Sequence, residues 1–195
     1  MGQLAALNRF VVNMTRLIDT RPDEPTVLKE GKALLHELIK NDEWLPKFCA
    51  QTHPQYYQQY LLHADPLERF SVVSFVWGPG QKTPIHNHTV WGLVGILRGA
   101  EKCQLYKPDP SGKMMPDGDE LTLRPGDVEA VSPTIGDVHV VRNAFDNQPS
   151  ISIHVYGGNI GKIKRSVFDE STGQEKVFVS GYANDRIPNI WAQDI

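Results

Sequence analysis

The sequence predicts a mainly β protein, an antiparallel sandwich or barrel behind a helical N-terminal region. Three observations carry that reading. Apolar residues recur every three or four positions in the first part of the chain. Short runs rich in β-branched and aromatic residues follow from Phe70 onward. Glycine, proline and aspartate turn signals separate those runs at roughly ten-residue spacing. At 195 residues, with 40% hydrophobic and 22% charged residues, the chain reads most simply as one domain with a sizeable core.

Leu4, Leu7, Val11, Met14 and Ile18 form one apolar stripe of a first helix. Arg21-Pro22-Asp23-Glu24-Pro25 interrupts that pattern, and Thr26 is placed to cap a second helix carrying Leu28, Leu34, Leu35 and Leu38. Pro46 and Pro54 bound a short connector, and residues 56–63, YYQQYLLH, read as a last helical turn or two. Residues 1–65 are therefore expected to be mostly helical. The barrel, residues 66–180, opens with Phe70–Trp77, which ends at the turn signal Gly78-Pro79-Gly80. It continues through Leu93–Leu97, Cys103–Tyr106, Leu121–Leu123, Val128–Val131, Val138–Val141 and Ile151–Tyr156. The tail, residues 181–195, carries Ile187, Ile190 and Trp191 and is expected to pack on the barrel.

Bulk properties narrow the function. A net charge of −3 and a pI near 6.1 give no reason to expect a nucleic-acid partner. Lys162, Lys164 and Arg165 form the one basic cluster, and three such charges read as a solvated strand edge. No apolar run approaches membrane-spanning length. The start, MGQLAALNRF, has neither the basic beginning nor the apolar core of a signal peptide, and Ala6 breaks the myristoylation pattern. Two cysteines, Cys49 and Cys103, are too few for a disulfide scaffold, so a reducing cytoplasm is the expected compartment.

The stretch PIHNHTVWG, residues 84–92, brings two imidazoles together, yet none of the ten residues after His88 is acidic. A lone HxH is weak evidence, but its surroundings are ordered: Gly80, five residues, His86-Asn87-His88, three residues, Gly92, six residues, Gly99. That spacing resembles the first cupin motif, with Gly92 where the motif has glutamate. Gly126, Pro133, Gly136, His139 and Asn143 resemble the second motif, the part before Gly136 being two residues longer than the pattern. The resemblance implies a cupin barrel, a double-stranded β-helix of jelly-roll type. It also points to a metal held by His86, His88 and His139. Three neutral imidazoles on one side of a divalent ion leave its charge undiminished and its other positions open to ligands. A thiolate suits such a site, because bound metal deprotonates thiols. Zinc would activate water there, and iron(II) would add oxygen chemistry.

Ser152-Ile153-His154-Val155-Tyr156 alternates polar and apolar residues, so Ser152, His154 and Tyr156 share one side of a strand. On spacing alone this is either an ordinary strand with one polar face or a hydrogen-bond relay running toward the metal.

HxH, a third histidine and SxHxY together resemble the cysteine dioxygenase family of thiol dioxygenases, over about Tyr57 to Arg165. The resemblance implies non-haem Fe(II) held by His86, His88 and His139, with Ser152, His154 and Tyr156 as the outer relay. Its reaction adds both atoms of O2 to a small thiol and yields a sulfinate. Two departures matter. The animal members carry a cysteine near the Gly92 position that crosslinks to the tyrosine matching Tyr156, and here glycine stands there. They also carry a carboxylate-gripping arginine where this chain has Gln59. Gln59 resembles the glutamine-type branch that favours 3-mercaptopropionate, in which an arginine nine positions past the relay tyrosine, here Arg165, helps to hold the carboxylate. Read without the family, Gln59 is a solvated helix residue and Arg165 a surface cation. The competing functions are a zinc or manganese cupin acting as isomerase or hydrolase, and a non-catalytic cupin that binds a ligand.

Overall fold

The computed structural model describes residues 3–192. Two helices lead the chain, α1 (Ala5–Asp19) and α2 (Glu24–Leu38). Leu7, Phe10, Val11 and Met14 bury one face of α1, as the apolar stripe predicts. The second helix starts differently from the expectation. Asp23 is its N-cap, its carboxylate accepting the Thr26 amide at 3.1 Å, with Pro25 in the first turn. Thr26 therefore receives the cap rather than forming it, because the aspartate three residues earlier supplies a better-placed acceptor.

Eleven strands follow among the described residues: β1 (Gln58–Ala64), β2 (Ser71–Trp77), β3 (Ile85–His86), β4 (Gly92–Arg98), β5 (Glu101–Pro108), β6 (Met114–Leu123), β7 (Val128–Val131), β8 (His139–Asn143), β9 (Ser150–Tyr156), β10 (Arg165–Phe168) and β11 (Glu175–Phe178). They form two sheets, ordered β1-β2-β9-β4-β7 and β11-β10-β3-β8-β5-β6, with every pairing antiparallel. The mainly β fold with helices at its N-terminal end is the one the sequence predicts.

One segment is corrected. Residues 56–63 were expected to be helical, but β1 begins at Gln58 and pairs with β2, Gln59 opposite Phe75. Tyr60 and Leu62 are buried while the residues between them are half-buried, a period of two that the cluster of tyrosines and glutamines obscures. Of the tail, Ala183 donates to the Gln59 carbonyl at 2.8 Å, and Asn184 bonds both backbone groups of Leu61. Ile190 is buried beside α1, while Ile187 and Trp191 are exposed; residues 193–195 lie outside the described residues.

The helices cover the outer face of the five-stranded sheet. Ile151, Ile153 and Val155 of β9 join Val72, Leu93 and the apolar stripe of α1 and α2 in one cluster. Glycines bring α2 close: a Cβ at Gly95 would meet Leu35 and Ile39 at about 3.0 Å, and one at Gly31 would meet Leu93 at 2.8 Å. Burial on that face leaves the alternate side chains of β9 pointing inward, where Val73, Phe75, Trp77 and Val141 pack around Tyr156. Both faces of β9 are therefore buried, and its polar residues must find partners inside the barrel.

Candidate metal centre

His86 and His139 stand directly opposite each other on the neighbouring strands β3 and β8. His88 lies two residues beyond His86, past the end of the short β3 rather than on it. The three ring centroids form a nearly equilateral triangle with sides of 4.8–4.9 Å. One nitrogen from each ring falls within 4.8 Å of the others, and all three residues are buried.

Each ring's Nδ1 faces outward to a partner. His86 Nδ1 lies 3.1 Å from the Pro84 carbonyl, which only accepts, so Nδ1 carries the proton. His88 Nδ1 donates to Asp137 at 2.8 Å, and His139 Nδ1 lies 3.4 Å from the Cys103 sulfur. With the proton on Nδ1 of His86 and of His88, their Nε2 lone pairs are left for the centre of the triangle. Burial, reinforced by the neighbouring His88 ring, pushes His86 down to about 3. Burial likewise lowers His88 and His139, so all three rings are neutral, the form that binds metal. A set of three neutral nitrogens with an open side fits a divalent transition metal.

Asp137 supplies the acid missing after His88, and sequence reading missed it. Its carboxylate accepts the His88 and Thr89 amides as well as the His88 ring. Thr89 sits at φ +62°, a strained setting for a β-branched residue, and Asp137 clamps that turn. Burial alone would raise the Asp137 carboxyl, but its hydrogen bonds to His88 and Thr89 outweigh burial and hold it below the usual range. The signal was present in Gly136-Asp137-Val138-His139: the acid lies two residues before the third histidine of the cluster.

Across the barrel, Ser152 Oγ lies 2.8 Å from His154 Nε2, and His154 Nδ1 lies 2.8 Å from the Tyr156 hydroxyl. Phase on β9 brings the three together, and the Tyr156 ring stacks on His88 at 5.3 Å. Phe75 stacks on the His154 ring at 4.0 Å, and burial holds His154 neutral. Gly92 pairs with Tyr156, and a Cβ there would lie 3.0 Å from the phenol ring. Gly92 thus leaves no sulfur beside the ring, and the Cys103 sulfur is at His139 instead.

Arg165, which the resemblance makes a carboxylate-holding residue and which without it reads as a surface cation, is 4% exposed. It donates to Ser180 Oγ at 2.7 Å and lies over the Phe178 ring, while its Nε is buried without a partner. Burial lowers its pKa and the nearby Tyr156 and Tyr57 act the other way, leaving the guanidinium charged. Gln59, a strand residue rather than a solvated helical one, has a buried side-chain oxygen without a partner. Gln59, Ser180 and Phe178 line one cleft of about 550 Å³ together with Tyr57 and Tyr182. Neither tyrosine nor Ser180 was singled out from sequence, where nothing marks them.

Comparison with known proteins agrees with this geometry. The family model described as Cysteine dioxygenase type I matches residues 31–171, well over half of the chain. Cysteine dioxygenase type 1 of Rattus norvegicus is 29% identical over 109 residues, 55% of this chain and 53% of the relative. The Homo sapiens protein of the same name is 28% identical over the same shares. The chain thus spans about half the length of the curated relatives it matches. A cupin superfamily protein of Desulfitobacterium hafniense is similar at a TM-score of 0.43 and 14% identity, covering 56% of this chain and 84% of that one. Among the described residues no helix is long and apolar enough to cross a membrane. Because that family model covers well over half of the chain, the chain belongs to the cysteine dioxygenase type I family.

Proposed function

We propose that the protein is a thiol dioxygenase that binds Fe(II) at His86, His88 and His139 and converts a small thiol carboxylate to its sulfinate. The carrying observation is the neutral histidine triangle with the Ser152–His154–Tyr156 chain ending against it. When bound, the iron would supply adjacent positions for a thiolate and O2 and the redox chemistry that joins them. A zinc hydrolase is less well served, because the nearest carboxylate, Asp137, spends both oxygens on His88 and Thr89 and is no general base.

The chain's own residues orient the substrate. Arg165 is a buried cation that, among the described residues, forms an ion pair with no carboxylate. A buried charge ordinarily has a counter-ion, so a substrate carboxylate is the natural partner. The Tyr156 hydroxyl is near enough for its charge interaction with Arg165 to be felt, and can hold the same carboxylate or a reacting oxygen. Gln59 adds a neutral amide rather than a second guanidinium. Among the described residues no acidic side chain lines the cleft to recognise the ammonium group of L-cysteine. The favoured substrate is therefore 3-mercaptopropionate, with L-cysteine the poorer one.

Oxygen uptake by the iron-loaded protein, with the product identified by mass spectrometry, tests both levels. The expected result is 3-mercaptopropionate sulfinate, at a kcat/KM above that for L-cysteine. A tenfold preference for L-cysteine would overturn the substrate assignment, and no uptake with either thiol would overturn the activity.

A further inference from the structure

Glu101, the first residue of β5, is 0% exposed, and both of its carboxyl oxygens lack a hydrogen-bond partner. The Ser150 hydroxyl is buried and unpartnered as well. Yet the hydroxyls of Ser152 and Ser150 and the indole of Trp77 all face this carboxyl. Ser152 is the far end of the relay, and Trp77 Nε1 lies 3.4 Å from its Oγ. Orphaned buried polar atoms are rare and costly, so three of them, the two Glu101 oxygens and Ser150 Oγ, gathered at one end of a hydrogen-bonded chain call for a common explanation.

We propose that Glu101 is the buried terminus of the Ser152–His154–Tyr156 relay, and that its carboxyl proton sets the direction of every hydrogen bond along it. With Glu101 protonated, its O–H donates to Ser152 Oγ, and Ser150 donates to the other carboxyl oxygen. Trp77 Nε1–H can only donate, so Ser152 Oγ accepts from it too, and the single Ser152 proton goes to His154 Nε2. His154 must then carry its proton on Nδ1 and donate to the Tyr156 oxygen. The Tyr156 proton is thereby freed to point into the cavity beside His88. If Glu101 is ionised, it competes for the Ser152 proton and the chain reverses. Ser152 then donates to the carboxylate, His154 Nε2–H donates to Ser152, and Tyr156 donates back to His154 Nδ1. In one state the cavity meets a phenol donor; in the other it meets a phenol oxygen.

The surroundings favour the protonated state. Burial raises the Glu101 carboxyl to about 8, and the polar hydrogens of Ser152, Ser150 and Trp77 near it oppose that rise. The packed strands present Ser150 and Ser152 from β9, Trp77 from β2, Asn143 from β8, Leu123 from β6 and the Cys103 thiol on its own strand. Burial raises that thiol to about 12, so no group facing Glu101 is a cation that would hold the carboxylate ionised.

The consequence for catalysis rests on the thiol dioxygenase reading; the hydrogen-bond direction does not. The test therefore uses metal-free full-length protein. Infrared spectra at pH 7 should show a protonated-carboxyl stretch that Glu101→Gln removes. Nitrogen-15 NMR should show His154 as the Nδ1–H tautomer at pH 7, inverting to Nε2–H as the pH rises past about 8. The ratio should change by roughly tenfold or more, as one charge-assisted hydrogen bond dictates. In Glu101→Gln, whose amide donates at every pH, the tautomer should stay Nδ1–H throughout. Absence of the carboxyl band, or the same inversion in Glu101→Gln, overturns the proposal. With iron and thiol, kcat of the wild type should fall above pH 8 while KM holds, and Glu101→Gln should lack that limb. A protein that passes the spectroscopic test but oxidises no thiol would sink the functional reading and leave the relay assignment standing.

Discussion

On the β3–β8 side of the barrel each histidine is tied through Nδ1 to a group outside the triad, whereas on β9 the polar side chains are tied to one another. The first arrangement fixes three rings and leaves their inner nitrogens free. The second uses up the inner atoms and leaves one proton, on Tyr156, at the end of a chain. The difference teaches that, on the function proposed above, one wall would hold an ion and the other a proton. Neither wall needs a carboxylate at the metal, which is why the residues after His88 can do without one. Asp137 stands behind His88 instead, and by the proposal above Glu101 stands behind Ser152.

Breaking the first wall should have the largest effect. Changing His86, His88 or His139 to Ala removes one of three ligands. Metal content after purification should fall to background and oxygen uptake with it, measured by elemental analysis and an oxygen electrode. Undiminished metal in any of the three variants would contradict the assignment. Breaking the second wall should cost rate rather than metal. Tyr156→Phe keeps the ring that stacks on His88 but removes the proton, and kcat should drop roughly 10²-fold, a typical share for one positioned proton donor, with metal content unchanged. A fall in metal binding that matched the loss of rate would show that the walls are not separable. Asp137→Asn tests the support behind the first wall. It removes a charge from the His88 bond, so metal affinity should weaken about 10–100-fold in a chelator competition while the fold persists.

Legibility followed the same division. The three-histidine cluster was readable because HxH and the later histidine match the spacing of the motifs the sequence resembles, and SxHxY was readable because strand phase puts alternate residues on one side. The outward partners were not, because they come from distant sequence: Asp137 reaches His88 from 49 residues away. Pro84 offers only a backbone carbonyl, and Cys103 reads as an ordinary core residue. β1 was misread since its two buried residues, Tyr60 and Leu62, are too few to establish a period of two. Arg165 was misjudged as exposed because Lys162 and Lys164 beside it look like a solvated edge. Burial of a charge is a tertiary fact, and no local pattern announces it.

A last expected effect separates the two walls by the sign of their pH dependence in metal-free protein. The buried histidines titrate below their ordinary value near 6.5, His86 at about 3. Below pH 6.5 the unfolded chain takes up protons that the folded chain refuses, so stability falls as pH drops toward 3. Glu101 has the opposite sign. Above its ordinary value of 4.5 the unfolded chain loses a proton that the folded chain keeps until about pH 8. Its contribution to stability therefore declines as pH rises through that window, by about 1.4 kcal/mol per pH unit. Glu101→Gln has no proton to lose there. The stability of Glu101→Gln minus that of the wild type should thus grow by about 1.4 kcal/mol per unit between pH 5 and pH 8, measured by urea unfolding. The same difference should be flat below pH 4.5, while His86→Asn should flatten the wild-type slope on the acid side instead. A Glu101→Gln difference that does not vary with pH would mean that Glu101 is already ionised in the folded protein, and that the carboxyl behind the relay carries a charge rather than a proton.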